Sequence, residues 1–570
     1  MNMTSLHKMK RYLLLLSSAL LAVMMWGAKA NRQPMVVKMA DGTTVTVYLH
    51  GDEDQHWYAT ADGKIVTRQG NTFTYAASQT LPKRARRKER LGSASVPYFP
   101  HTGSPKALCI LVNFKDTTFS VSDPKKVFDE YLNAETLNDY GRGETRNYGS
   151  VKSYFKAMSF GAYTPQFDVY GPYTVSDSMK YYGANSGSNT DVHYQELMKE
   201  ACALADADIN FADYDSDGDG RVDLITFIYA GFGESNGASS NTIWPKSGST
   251  SLGTYDGKSA NRFALINELN FNESYFEKYG RLAPINGIGL FCHEFSHTLG
   301  LPDIYPTNND NAHIDNQEME YWDLMDGGEY VFNGYCPAPY TAWEREVMGW
   351  SSIEPLTGNQ NGIQLTPVND GGKAYKIVND SDATEYVVIE NIQQSGWSQK
   401  MPGHGILAYH VKWPSSEVQL YQSINGTPKK PNMAVIPADG VCYSSYNKKI
   451  DNKTYKSNMA GDPFPGTGNV TALNDTLGLP NYYWYCSSST SDLSTKATHK
   501  ALANISEDTS TGIVTFDYIH DTTTGIQHVT ERPVAHDNRI YTLDGRYVGK
   551  DAGRLQPGIY IQNKKKIMIR

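Results

Sequence analysis

The sequence predicts a multidomain α+β chain, in which a mixed sheet carrying one functional helix precedes one or more β-rich domains. Four observations predict it. At 570 residues the chain is too long for one core, and length alone suggests roughly three or four units. Lys106 to Phe114 is a largely apolar run, the mark of a central strand covered on both faces. Apolar residues at helical spacing follow at Val151 to Met158 and Asp191 to Ala207, and Phe263 to Leu269 reads as a further strand. Residues 351–520 hold short, turn-punctuated apolar runs such as Glu385 to Glu390 and Gly405 to Val411, with little helical period.

In chain order, residues 1–30 read as a secretory signal. Lys8, Lys10 and Arg11 form its charged start, Tyr12 to Trp26 its apolar run, and Ala28-Lys29-Ala30 its small-residue cleavage site. That run is short for a bilayer span, so an exported, soluble product is expected. Residues 31–103 read as an N-terminal β pro-region with turns at Asp41-Gly42, Asp62-Gly63 and Gly70-Asn71. It ends in a basic linker at 83–90 that suits proteolytic processing. If this pro-region blocks a metal site downstream, His56 or a neighbour among Asp52, Glu53 and Asp54 supplies the block, because it contains no cysteine. The functional unit is expected at 104–352, a β-rich accessory domain at 353–520 and a compact strand-and-turn domain at 530–570.

Composition is that of ordinary globular protein, 40% hydrophobic and 20% charged. A net charge of −9 gives no reason to expect nucleic acid as a partner. Six scattered cysteines, at 109, 202, 292, 336, 442 and 486, make neither a disulfide framework nor a cysteine metal site.

Gly287 to Tyr305 carries the chemistry. Read as a helix, it places Ile288, Phe291, Cys292, Phe295 and Leu299 on one apolar stripe, with His293 and His297 roughly 160° away, four apart on one exposed face. Glu294 lies beside the first imidazole, within reach of a metal-bound water. This is the His-Glu-x-x-His zinc arrangement. Gly300 can end the helix and Pro302 keeps it ended, so the chain can fold back and bring Asp303 in as third ligand. Glu318 and Glu320 are the rival third ligands.

Two further stretches stand out. In Asp213-Tyr-Asp-Ser-Asp-Gly-Asp-Gly-Arg-Val-Asp223, the residues Asp215, Asp217, Asp219 and Asp223 take the first, third, fifth and ninth positions of a calcium loop. The twelfth position is Thr226, so this is not an EF-hand, but a structural Ca2+ is expected. Tyr321-Trp-Asp-Leu-Met-Asp-Gly-Gly328 places Met325 in a Gly-rich turn 28 residues beyond His297, the pattern of a methionine turn.

Gly289-Leu-Phe-Cys-His-Glu-Phe-Ser-His-Thr-Leu-Gly-Leu-Pro-Asp-Ile-Tyr305 closely resembles the active-site segment of the immune inhibitor A-like metallopeptidases, secreted bacterial enzymes of zincin type. Ser150 to Phe155 with Ser159 to Gly161, Asp217 to Asp223, Ile228 to Gly231, Trp322 to Asp326 and Met348-Gly-Trp350 resemble that family too, as do Glu390 to Gln393 and Pro402 to Ile406 in its post-catalytic strands, so the likeness covers about residues 105–415. It implies a zincin-like catalytic domain with His293, His297 and Asp303 as zinc ligands, Glu294 as catalytic base and Met325 as the Met-turn residue. Lys246 stands where a His is usual and Ile392 where an Arg is usual. The last 35 or so residues resemble the C-terminal sorting domain of type nine secretion in Bacteroidetes. That implies the secretion machinery as a partner and a product at or beyond the outer membrane.

The expectation is a secreted zinc metalloendopeptidase, a monomer made as a zymogen, acting on protein or peptide substrates. Tyr305 and Tyr330 are candidates to assist the oxyanion. Two other classes remain open: a surface adhesion protein on a zincin scaffold, and a zinc hydrolase of non-protein amides. The first has no use for a carboxylate at Glu294.

Overall fold

A computed structural model describes residues 24–81, 96–135, 146–187, 189–307, 317–414, 418, 422–442, 457–523, 540–543, 546–562 and 565–569. The predicted leader up to residue 23 and the basic run at 83–90 lie outside them. Residues to Asp521 form one compact unit and Thr522–Arg570 a second.

The first unit starts with an extended segment, β1 (Met24–Gly27). Then β2 (Met35–Lys38), β3 (Thr44–Gly51), β4 (His56–Thr60), β5 (Ile65–Gln69) and β6 (Thr72–Tyr75) pair in sequence order into one antiparallel sheet. Three of its four connections fall at the turn signals of the sequence; the fourth, between β3 and β4, is made by residues 52–55.

The central sheet is mixed. β7 (Lys106–Asn113), β8 (Gln166–Thr174), β9 (Arg221–Val222), β10 (Ile225–Phe232), β11 (Lys246–Tyr255) and β12 (Lys258–Leu269) join β1 in the order β1-β11-β12-β10-β7-β8, with β9 against β12. The strands from β8 to β12 run parallel, β11 is antiparallel to β12, and β1 is antiparallel to β11. β7 shows what organises it. Ala107, Cys109 and Leu111 enter one core while Leu108, Ile110 and Val112 enter the other, the two-residue alternation of a strand buried on both faces.

Helices α1 (Pro124–Asn133) and α2 (Val151–Met158) cover the first face, and α3 (Tyr194–Ala205) the second. α2 begins where the Ser150 hydroxyl accepts the Ser153 N–H at 3.0 Å, an N-cap worth about 1 kcal/mol. α3 buries Tyr194, Leu197, Met198, Ala201, Cys202 and Ala205, the three-and-four spacing of one helical stripe. On the first face lies α4 (Ile288–Leu299), with Ile288, Phe291, Cys292, Phe295 and Leu299 in the core, each contributing about 1.5–3 kcal/mol by burial where the side chain is large and apolar.

Residues 353–519 form two larger sheets and a two-stranded pair of Trp484–Tyr485 with Thr495–Lys496. One holds Ile353–Pro355, Ala374–Asn379, Asp382–Ile392, Gly405–Lys412 and Met433–Val435; the other holds Gln360–Leu365, Leu473–Asn474, Ala501–Asp508 and Ile513–Ile519. Ile377, Val387 and Ile389 meet Leu502, Val514 and Phe516 between them. The other side of the first sheet, through Val388, Leu407, Tyr409 and Val411, enters the same core as α4. The second unit is a four-stranded antiparallel sheet of Ile540–Thr542, Tyr547–Gly549, Gly558–Gln562 and Lys565–Ile569. Among the described residues no helix is long and apolar enough to cross a membrane.

Candidate metal centre

α4 ends as its sequence dictates. Gly300 takes φ 111°, a left-handed conformation that costs glycine little, and its N–H returns to the His297 carbonyl at 3.0 Å. The chain then turns Asp303 back toward the helix. His293 Nε2 and His297 Nε2 lie 3.4 and 3.2 Å from the same oxygen, Asp303 Oδ1. Ligand atoms about 2.0–2.1 Å from a tetrahedral ion sit roughly 3.3 Å from one another, so these three atoms stand at the spacing a zinc ion would impose.

The tautomers agree. His293 Nδ1 is 2.9 Å from the Leu324 carbonyl and His297 Nδ1 is 2.7 Å from the Leu301 carbonyl. A carbonyl only accepts, so each Nδ1 carries the proton and each Nε2 presents a lone pair to Asp303. Burial disfavours charge on His293, yet Glu329, Asp303 and Glu294 together drive its pKa well above the usual value. Burial likewise pushes Asp303 up, and the two imidazoles more than reverse it, holding its carboxyl below the ordinary range. Both shifts say that this pocket favours an added positive charge. Neither Asp303 oxygen nor His293 Nε2 takes or gives a hydrogen bond within the described structure. The donor set therefore fits a divalent cation.

Glu294 is buried beside them, with no hydrogen-bond partner on either oxygen among the described residues. Burial raises its pKa. The turn around Met325 holds the site from below. The Leu324 carbonyl fixes His293, the Met325 carbonyl accepts the Ile304 N–H at 2.8 Å, and Asp323 Oδ1 accepts the Met325 N–H at 2.7 Å. One short loop thus positions the first imidazole and the backbone next to Asp303.

The helix is not surface-exposed on its histidine side. Every residue of α4 is buried. Segments far away in sequence cover the polar face: β11, β1 and the 328–334 loop all pass alongside, which helical periodicity cannot foresee. Gly289 permits the closest approach, since a Cβ there would stand 2.0 Å from the Glu329 carbonyl oxygen.

Glu318 and Glu320 are not part of the triad; the converging group is His293, His297 and Asp303. Nor is His56 in that group. Its Nε2 lies 3.2 Å from Glu234 Oε1 and its ring stacks on Trp244 at 4.8 Å. Tyr305 and Tyr330 both donate to the backbone of the segment running through the cleft, to the Gly27 carbonyl at 2.7 Å and the Lys29 carbonyl at 2.6 Å. Glu329, which the sequence reading missed, is buried 4.0 Å from His293 Nδ1. Its only sequence signal is a carboxylate after the glycines of the Met325 turn.

Of the four aspartates of the predicted calcium loop, Asp215, Asp217 and Asp223 converge. Asp219 turns aside to Arg221, accepting its backbone N–H at 2.9 Å with Oδ1 and lying 3.6 Å from its Nε through Oδ2. Lys258 Nζ, 2.6 Å from Asp215 Oδ2, brings a cation of the protein's own. All six cysteines are free thiols.

Lys246, on β11 between β1 and β12, is fully buried with Nζ 2.7 Å from Asp191 Oδ2 and 5.0 Å from the centre of the Tyr194 ring. Asp191 also accepts the Trp244 N–H at 3.0 Å. Burial pushes the Asp191 carboxyl up to about 6, against the pull of Lys246. Lys246→Met strands a buried carboxylate, and a loss of about 3–5 kcal/mol is expected, read as a drop in Tm; a change within about 0.5 kcal/mol contradicts the assignment.

At its far end α4 is splinted by the segment with which the described residues resume at Val96. The Phe99 N–H donates to the Thr298 carbonyl at 2.9 Å. Buried Arg262 holds the carbonyls of Pro97 and Val96 at 2.7 and 2.6 Å, with the Tyr98 ring 4.9 Å away.

Comparison with known proteins bears on the same stretch. The chain is 26% identical over 294 residues to "Pre-pro-metalloprotease PrtV" of Vibrio cholerae serotype O1, strain M66-2, covering 45% of this chain and 31% of that protein. It is 25% identical over 292 residues to "Immune inhibitor A" of Bacillus thuringiensis subsp. alesti, covering 44% of this chain and 41% of that one. The chain thus spans about a third to two-fifths of the length of these relatives. Residues 96–350, which hold the whole converging site, match the family described as Immune inhibitor A peptidase M6, catalytic domain.

Proposed function

We propose that this chain is a zinc-dependent endopeptidase whose catalytic unit is zincin-like, and that it cleaves protein or peptide substrates after export. One observation carries the reading: His293, His297 and Asp303 converge at 3.2–3.4 Å with Glu294 buried and unpartnered beside them. The family match supports it.

His293, His297 and Asp303 would hold the ion, which when bound supplies Lewis acidity toward water and the scissile carbonyl. Glu294 takes a proton from the attacking water and returns it to the departing amine; its raised pKa suits a group that must both accept and release a proton. The carbonyls of Leu324 and Leu301 keep both imidazoles in the tautomer that leaves Nε2 a donor of electrons. Tyr330 and Tyr305, already hydrogen-bonded to peptide carbonyls in the cleft, hold the substrate backbone and offer donors where negative charge develops. The water-poor surroundings strengthen each of these contacts.

Residues 1–30 as export leader, residues 530–570 as sorting domain and processing in 83–90 complete the proposal. The test is metal content of the purified protein coupled to casein digestion: about one zinc per chain, activity lost to a chelator and restored by zinc. A metal-free active protein overturns it. Asp215, Asp217 and Asp223 are proposed as a secondary structural calcium site. Calcium added to chelated protein then raises Tm; no shift leaves Lys258 as the loop's counter-charge.

A further inference from the structure

Lys29 belongs to the predicted cleavage site of the leader, a place where small residues flank it and its own side chain has no assigned use. The structure nevertheless buries it to 3% exposure. The segment from Met24 to Asn31 runs through the cleft in extended form. β1 pairs antiparallel with β11, Gly27 opposite Lys246. Beyond it Trp244 Nε1 donates to the Ala28 carbonyl at 2.8 Å, between the two tyrosine contacts on Gly27 and Lys29. The Ala30 and Asn31 N–H groups donate to the carbonyls of Gly51 and Ser235, each at 2.8 Å. This is how a peptide added to a sheet edge is held: backbone bonds fix it and side-chain pockets choose it.

One such pocket is filled. Lys29 Nζ lies 2.6 Å from Asp326 Oδ1, 3.6 Å from Glu320 Oε2 and 5.5 Å from the centre of the Tyr305 ring. Glu318 is buried as well and neither of its oxygens has a hydrogen-bond partner among the described residues. Burial and the nearby carboxylates of Glu320 and Asp326 push it well above the usual range. Lys29 thus brings a positive charge into a pocket of three buried carboxyl groups, where burial and their mutual repulsion disfavour negative charge. Asp326 Oδ2 also accepts the Glu320 N–H at 2.6 Å, and Glu320 sits at φ 52°, a conformation that a non-glycine residue holds only when its surroundings impose it. The same short segment carries Leu324, whose carbonyl fixes His293.

We propose that the pocket of Glu318, Glu320 and Asp326 is a specificity subsite that takes the lysine or arginine side chain of an extended peptide substrate, with Lys29 as its intramolecular stand-in. This rests on the endopeptidase reading and deepens it. An arginine suits the excess of carboxylates better still, because its planar fork can bond two of them at once. A leucine or methionine in that place takes away the cation that Lys29 sets 2.6 Å from Asp326 Oδ1.

The test has two arms. A mixed peptide library is digested by the zinc-loaded exported protein and the cuts are read by mass spectrometry. Lysine or arginine is expected at one fixed offset from the cut bond, favoured on the order of 100-fold over leucine in kcat/KM. Glu318→Gln and Glu320→Gln each lower that ratio about tenfold; they are used because Asp326→Asn also removes the bond to the Glu320 backbone. In the second arm a peptide of residues 24–31 is titrated onto the Glu294→Gln protein starting at Asn31, beside the same peptide with Lys29→Met. On the order of 100-fold weaker binding of the Met peptide is expected. Cuts without basic enrichment, or equal binding of both peptides, overturn the subsite and leave the endopeptidase reading intact. Absence of any cut together with lysine-selective binding overturns the endopeptidase reading and keeps the subsite.

Discussion

Glu294→Gln is expected to lower kcat/KM on a protein substrate by about 10²–10⁴-fold while zinc stays bound at one per chain. The substitution keeps the size of the side chain and removes its ability to carry a proton between water and amine. Glu294 has no hydrogen-bond partner among the described residues, so no structural bond is lost. It is not one of the three converging donors, so the metal set is untouched. Removing an ionised group from a buried site can even raise Tm slightly, since burial already disfavours its charge. Paired measurement of metal content, Tm and casein hydrolysis decides it. A variant with full activity moves the protein toward a binding role, and a variant without metal shows that Glu294 is a ligand.

Asp303→Ala is the second large effect. With it the site loses its one anionic donor and keeps two neutral imidazoles. Zinc affinity should fall by well over the 10–100-fold that loss of an outer partner of a metal ligand costs, so that dialysis leaves far less than one zinc per chain. Hydrolysis falls with it. The apo and treated forms of the variant then share one Tm, whereas metal raises the Tm of the parent. Zinc retained at one per chain by Asp303→Ala would mean that another carboxylate completes the site. Glu318 and Glu320 do not belong to the converging donor group, so either would have to move to take that place.

The sequence carried the helix, its two imidazoles, its glycine stop and the returning aspartate because these are local: four residues fix a helical face, and Gly300 with Pro302 fixes a turn. The alternation of Lys106 to Phe114 was legible for the same reason. The fully buried state of α4 was not, because β1, β11 and the 328–334 loop reach it from far along the chain. Glu329 and the Asp326 pocket were hidden likewise, being defined by what lies across from them. The Asp215 loop was legible in part. Asp215, Asp217 and Asp223 converge as the spacing predicts, while Asp219 turns to Arg221 and Lys258 reaches Asp215, contacts that spacing along the chain does not contain. Lys246 was noticed only as a departure from a resemblance; its partner Asp191 lies 55 residues away.

The splint at the end of α4 decides where the chain can safely be trimmed. The proposed cut at 83–90 would leave Val96 to Phe99 fastened to Arg262 and Thr298. A cut a dozen residues further on would unfasten the strap beside Gly300, the point from which Asp303 is swung into place. Proposed processing in the basic run therefore has a margin, and its inner limit is drawn by two carbonyls in the grip of a buried arginine.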